Sequence, residues 1–244
     1  MKSKRQIFSF YVHAFKNLRR DYKKGGAPHK PILLLSIIQL FEKNLITSSK
    51  IYITPELVGY FKSTWNALVK TSHDLRFALP FYHLSSEPFW KLIPNNGCEK
   101  WIEAKSSMRS FSNLNTAVAY AEIDNELFEL LKQKDSREIL KITLLEKYFS
   151  ESKSNFGGND GGKYLNNLSN EIIEEEAEEY RKRIHELKKE LGEESYQEEI
   201  YLRDGVFKRE IPRIYNYTCC ISGMRIDATV NVSMNDRCLP HNSF

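Results

Sequence analysis

Hydrophobic positions follow several rhythms along the chain, and each rhythm predicts a kind of element. Over residues 5–22, Ile7, Phe8, Tyr11, Phe15 and Leu18 recur near helical spacing, and the run KKGGAPHKP then breaks the helix with two glycines and two prolines. The next run, PILLLSIIQLFEKNLI, opens with Pro31 at a first-turn position and is apolar nearly all round, which predicts a helix at the centre of a core. ITPELVGYFKSTWNALV predicts a third helix, with Thr54 as N-cap ahead of Pro55 and Glu56, and with Leu57, Tyr60, Phe61, Trp65 and Leu68 on one face. The period changes in FALPFYHLSSEPFWKLIP, where apolar residues are interrupted by Pro80, Ser85, Ser86 and Pro88; this predicts short strands and a turn. DNELFELLKQ and SREILKITLLEKYF return to helical amphipathicity and close a first domain near residue 149.

Beyond it, SESKSNFGGNDGGKYLNN sets four glycines among Ser, Asn and Asp, the composition of a flexible tether over 151–170. Ile173, Ala177, Tyr180, Ile184, Leu187 and Leu191 then alternate spacings of four and three, an apolar seam on a charged helix over 171–200. A seam of about three heptads sits at the lower limit for a coiled coil, so packing against its own chain and pairing with a second copy as a homodimer both stay open. The last segment, 201–244, contains YNYTCCISGMRI and ends NDRCLPHNSF.

Composition adds class and compartment. At 244 residues, 41% of them apolar, the chain is long enough for a sizeable core. No apolar run is long enough to span a bilayer and the N-terminus lacks the apolar stretch of a signal peptide, so the expectation is a cytoplasmic protein with no membrane partner. Four cysteines, two of them adjacent at Cys219 and Cys220, make neither a disulfide framework nor a C-x-x-C metal pair. The net charge of +4 conceals a segregation: residues 1–110 hold 18 Lys+Arg against 7 Asp+Glu, whereas residues 151–200 hold 7 against 14. A basic half with interleaved aromatic residues suits a phosphate backbone, and the acidic segment suits a spacer.

Two stretches could carry chemistry. GGAPHKPILLL places His29 and Lys30 between two prolines at the mouth of the buried helix, where a helix N-terminus and a cation could receive an anion, or where His29 could simply cap the helix entry. LPFYHL groups Leu79, Pro80, Phe81, Tyr82 and His83; taken alone, such a run is ordinary core and edge packing.

Taken in order, APHKPILLL followed some fifty residues later by LPFYHLSSEPFWKLIPNNG resembles the sulfur-binding domain of HNH restriction endonucleases that cut phosphorothioate-modified DNA, and YNYTCCISGMRI resembles the opening of their HNH module. The resemblance implies an α+β fold: a mainly helical DNA-reading domain with short strands over 1–150, then the tether, the linker helix and an incomplete ββα-metal hairpin over 201–244. It also implies a partner, double-stranded DNA carrying phosphorothioate. The DNA-binding residues would be His29, Lys30, Leu79, Pro80, Phe81, Tyr82 and His83, with Lys105 or Arg109 making base or backbone contacts. Two departures stand out: Leu79 precedes the proline where relatives often carry an aromatic residue, and Lys30 stands where arginine is common and lacks its bidentate fork.

A complete family member would use a divalent metal, Mg or Mn, held by an Asp-x-x-His segment, an Asn and a further His. Here Asp236 and Cys238 fit, Leu239 stands in place of the general-base histidine, and His241 and Asn242 lack the scaffold that would orient them. The sequence therefore carries no complete catalytic set, no metal site and no cofactor, and the expectation is a reader of modified DNA whose cleavage is lost or impaired by a truncated or frame-shifted end. Two alternatives remain: a non-catalytic DNA-binding or dimerisation module with no sulfur preference, and a competent nuclease using an unrecognised site or a supplied C-terminus.

Overall fold

The computed structural model describes residues 3–103, 107–157, 160–219 and 221–225. The chain divides into two compact units, Met1–Phe207 and Lys208–Phe244. The fold is α+β and mainly helical, with a small antiparallel sheet.

In the first unit, α1 (Lys4–Lys16) starts at a capping box, in which Ser3 and Gln6 each satisfy the other's backbone N–H. It ends at Asn17, short of the predicted residue 22. The buried helix is α2 (His29–Glu42): every residue from Lys30 to Phe41 is buried, as the all-round apolar pattern requires. A short strand β1 (Lys50–Ile51) leads to α3 (Pro55–Leu68), where the Thr54 side chain accepts the Leu57 N–H at 3.1 Å. The predicted apolar face of α3 is buried, and it packs on α2.

The stretch expected as strands and a turn is half helix. Residues Ala78–His83 form α4, and only Trp90–Pro94 forms a strand, β2. Pro80 explains how a helix tolerates this sequence: it falls in the first turn, where a missing N–H removes no intrahelical bond. After α5 (Glu99–Glu103) and α6 (Phe111–Ala117) comes β3 (Val118–Ile123), the central strand of a sheet ordered β1-β3-β2. Opposite Ala121 stand Ile51 on one side and Leu92 on the other, and the register slips between Ile93 and Pro94. Helices α7 (Asn125–Lys132) and α8 (Lys134–Tyr148) fall where the sequence places them, with α8 packed against α1 and α2.

The first unit does not close near residue 150. Within the expected flexible tether, α9 (Asp160–Glu174) packs along α3 with Leu165 and Leu168 buried. Gly161, one of the four glycines expected to make a flexible tether, is a close-approach point, and so is Gly59. A Cβ on Gly59 of α3 would stand 2.6 Å from Leu165, and one on Gly161 would run into the Tyr60 ring.

The single charged helix expected over 171–200 is likewise divided. Helix α9 ends at Glu174, α10 spans Ala177–Glu190, and α11 (Glu193–Ile214) begins after Gly192. The seam from Ile173 to Leu191 therefore does not lie on one helix, and no residue of α10 is buried. Leu165 and Leu168 of α9 and Glu198 and Glu199 of α11 are buried, so the acidic segment is structural rather than a bare spacer, and Leu202 and Val206 carry α11 on into the core.

In the second unit, the described residues beyond α11 form a turn. Thr218 bridges Arg225, Cys219 N–H donates to Met224 O at 2.8 Å, and Gly223 takes a positive φ of 69°. The Ser222 hydroxyl and backbone N–H hydrogen-bond the exposed Cys219 sulfur and lower its pKa to about 7. Asp236, Cys238, Leu239, His241 and Asn242, on which the incomplete-hairpin expectation turns, lie outside the described residues.

Candidate functional site

Four short segments meet around a pocket of about 520 Å3 in the first unit. One follows α1 and brings Arg19, Arg20 and Asp21; the second is the entry to α2, with Ala27, His29 and Lys30. The third runs from His73 through α4 and contributes Asp74, Arg76, Leu79, Pro80 and His83; Ser86 follows it, and Arg109 completes the wall from the turn before α6.

The two-glycine turn is shaped around an arginine. Gly25 and Gly26 take φ of 84° and 93°, conformations that suit glycine, and a Cβ on Gly26 would press on the Arg20 guanidinium. Arg20 donates to Ala27 O at 3.2 Å and stacks over the Tyr148 ring at 4.3 Å. Tyr148 in turn donates its hydroxyl to Phe15 O and accepts the Leu18 N–H, which secures the end of α1.

His29 occupies the start of α2 as a neutral ring. Burial lowers its pKa to about 4, outweighing the upward pull of the Asp74 carbonyl. The Nε2–H donates to Asp74 O at 2.9 Å, and the ring lies against Trp65 at 4.7 Å. His29 is thus part of the pocket frame and contributes no positive charge at neutral pH.

Lys30, expected as the phosphate cation, is already paired. Its ammonium reaches Glu87 at 2.6 Å and Ser86 at 2.7 Å, with only 8% of the lysine side chain exposed. Glu87 also accepts the Arg19 N–H at 2.9 Å, so this buried pair ties the post-α1 segment, the α2 entry and the residues after α4 together. Burial pulls the Lys30 pKa down while Glu87 pulls it up. Lys30 lines the pocket, but its ammonium is committed to Glu87 and Ser86.

Helix α4 divides the five residues of LPFYH. Leu79 and His83 reach the pocket, and Pro80 lines it while remaining largely buried. Phe81 and Tyr82, expected as DNA contacts, turn inward: Phe81 is fully buried against Phe77 and Trp90, and Tyr82 donates its hydroxyl to Ile102 O at 2.7 Å. A strand would have alternated these residues, whereas the helix keeps positions 79, 80 and 83 on one side. Lys105 lies outside the described residues.

The sequence reading missed Arg19, Arg20 and Arg76. Their signal is visible afterwards: the Arg19-Arg20 pair just before the glycine turn, and Arg76 three residues before Leu79. Arg19, Arg76 and Arg109 make no ion pair among the described residues. Four arginines against the carboxylates of Asp21 and Asp74, with an apolar wall of Ala27, Leu79 and Pro80, make a pocket that would receive an anion on one side and a poorly hydrated atom on the other. Among the described residues, no three His, Cys, Asp or Glu side chains cluster in a way that would hold a metal.

No protein-family model matches the chain, and no curated protein resembles its sequence significantly.

Proposed function

We propose that the first unit binds double-stranded DNA through a backbone phosphate seated among Arg19, Arg20, Arg76 and Arg109, and that the wall of Leu79 and Pro80 favours a phosphorothioate at that position. The observation that carries this reading is the convergence of the four arginines and the apolar wall on one pocket. Arginine suits phosphate because its planar fork makes paired, charge-assisted bonds. Sulfur suits the wall because it is larger, more polarizable and less hydrated than the oxygen it replaces, so losing water there costs less. In this reading the arginines, and not Lys30, supply the cation.

The turn at Cys219–Met224 supports a relation of the second unit to the opening of an HNH module; in this reading cleavage is lost or impaired because Leu239 stands in place of the general-base histidine. The reader and the cutter are separable, because the pocket is complete within the first unit.

The test compares binding to identical duplexes with and without one phosphorothioate, followed by incubation with Mg2+ or Mn2+ to score cutting. Tighter binding to the modified duplex is expected, and Leu79→Asp should remove that preference. Equal affinity for both duplexes would leave the second reading, a DNA-binding module without sulfur preference, which the arginines alone would support. No affinity for either would remove DNA from the account, and robust cutting would overturn the lost-cleavage part.

A further inference from the structure

Helix α11 reaches two of the pocket's segments through a pair of carboxylates one turn apart. Glu198, fully buried, accepts the Phe77 N–H on Oε1 at 2.8 Å, and Glu194 accepts the Phe111 N–H on Oε2 at 2.8 Å. Both N–H groups are donors that a helix start leaves without an intrahelical partner. Phe77 precedes α4, which has no side-chain cap of its own, and Phe111 opens α6. In sequence, Phe77 directly follows Arg76, and Phe111 comes two residues after Arg109.

The surrounding contacts make this a stiff connection. The Phe77 and Phe111 rings meet edge to face at 6.1 Å, and Phe111 meets Tyr201 of α11 at 5.1 Å. The helix itself is held by Glu199 on Lys62 at 2.5 Å, by Arg203 on Glu171 at 2.8 Å, and by Gly205, where any Cβ would collide with Pro55. Glu198 keeps Oε2 buried with no hydrogen-bond partner among the described residues. Leaving a carboxylate oxygen so placed is costly, and an apolar side chain would fill the space without that cost. What an apolar residue could not do is hold the Phe77 N–H.

We infer that Glu194 and Glu198 are positioning residues for the pocket: by holding two backbone segments from one rigid helix, they set where Arg76 and Arg109 stand relative to each other. The phosphate-binding part of this inference rests on the proposed function, whereas the hold on the two segments does not. One phosphate gripped by two arginines needs a fixed spacing between their backbones, and neither α4 nor α6 is long enough to supply it alone.

The test uses the full chain with Glu194→Ala, Glu198→Leu and Glu198→Gln, the last keeping an oxygen for the Phe77 N–H. DNA affinity is measured across a salt series, and amide exchange is followed at Phe77 and Phe111. Glu194→Ala and Glu198→Leu should each lower the slope of log affinity against log salt by about 1, because one phosphate contact is lost. Glu198→Gln should keep the wild-type slope. A purely structural role would lower the active fraction and shift affinity without touching the slope. Should Glu198→Leu fail to fold, Glu194→Ala and the glutamine variant still decide the matter. An unchanged slope with Phe77 and Phe111 still protected would overturn the inference. If instead wild type bound no DNA while those two amides opened selectively in the variants, the DNA reading would fail and the hold on the segments would stand.

Discussion

Arg76 and Arg109 at the pocket and Arg183 and Arg203 on the α9–α11 side are the same residue type put to opposite uses. Arg203, 5% exposed, is answered by Glu199 at 2.9 Å and Glu171 at 2.8 Å, and Arg183 by Glu171 and Glu175. The pocket arginines are left without ion pairs among the described residues. The buried guanidinium of Arg203 must be neutralised where it sits, whereas one at an open pocket stays hydrated until a ligand arrives; Arg183, half exposed, pairs at the surface. The contrast separates charge that builds the fold from charge that is available to a partner, and it crosses the basic and acidic halves of the sequence in an instructive way. Within the acidic segment, Glu171, Glu175 and Glu199 pair its own and neighbouring cations.

The sharpest break of this comparison is Arg203→Ala. Glu199 and Glu171 would each lose a partner, one of them in a buried site, and unfolding stability should fall by about 4 kcal/mol. The affinity of the remaining folded molecules for DNA should not change, because Glu199 on Lys62 and Gly205 against Pro55 still hold α11. Chemical denaturation with a parallel binding titration separates the two effects, and a loss of affinity per folded molecule would place Arg203 in the binding surface after all.

Lys30 tests the boundary between the two classes, because it stands at the pocket yet behaves like the buried arginine. Lys30→Ala should cost about 3 kcal/mol by stranding Glu87, with no change in the salt slope of DNA binding. Replacing Lys30 and Glu87 together by Met and Leu should recover part of that stability, since no buried charge is then stranded but the Arg19 N–H loses its acceptor. A slope reduced by about 1 in Lys30→Ala would instead make the ammonium a phosphate contact.

Arg76→Ala and Arg109→Ala should show the reverse pattern. Stability should move by no more than ~0.5 kcal/mol, as expected for side chains without partners. The salt slope should drop by about 1 for each, and affinity should fall about tenfold near 0.1 M salt. A stability loss comparable to that of Arg203→Ala would erase the distinction from which the pocket reading starts.

These outcomes bear on how much of the protein can be read from its sequence. Helix α3 was fully legible, because Thr54, Pro55 and a five-residue apolar stripe all report local geometry. Helix α2 was legible from its all-round apolarity. Helix α4 was not, since six residues are too few to show a period and Pro80 argues against a helix unless its place in the first turn is known. The glycines of α9 misled for a related reason: glycine marks both a flexible chain and a close approach, and only the partner, Tyr60, distinguishes them. The candidate site was half legible. His29, Lys30, Leu79, Pro80, His83 and Arg109 do line one pocket, yet nothing local to Arg19 or Arg76 says that they join them, because that depends on how distant segments pack.

The smallest effect concerns two titratable groups, half-buried His29 and fully buried Glu198, one on each side of the comparison, whose pH dependences oppose each other. Burial lowers the pKa of His29 to about 4, so the unfolded chain takes up its proton first and stability is lost as pH falls from about 6.5 toward 4. Burial raises Glu198 to about 7, despite the Phe77 N–H and the Lys62 ammonium, which pull it down, and with Glu194 adding to the rise. The folded chain then holds that proton more tightly, so its contribution is complete below about 4.5 and is lost as pH rises through 7. Between pH 5 and 6 each group can tilt stability by at most ~1.4 kcal/mol per pH unit, in opposite directions, and the two should largely cancel in the wild type. His29→Gln should therefore leave a protein whose stability falls with rising pH in this window, and Glu198→Gln one whose stability rises. Denaturation midpoints at half-unit pH steps would show the two slopes. Parallel curves for both variants and the wild type would mean that neither group changes its proton affinity on folding, and that the pocket frame and its clamp are less buried in solution than their packing indicates.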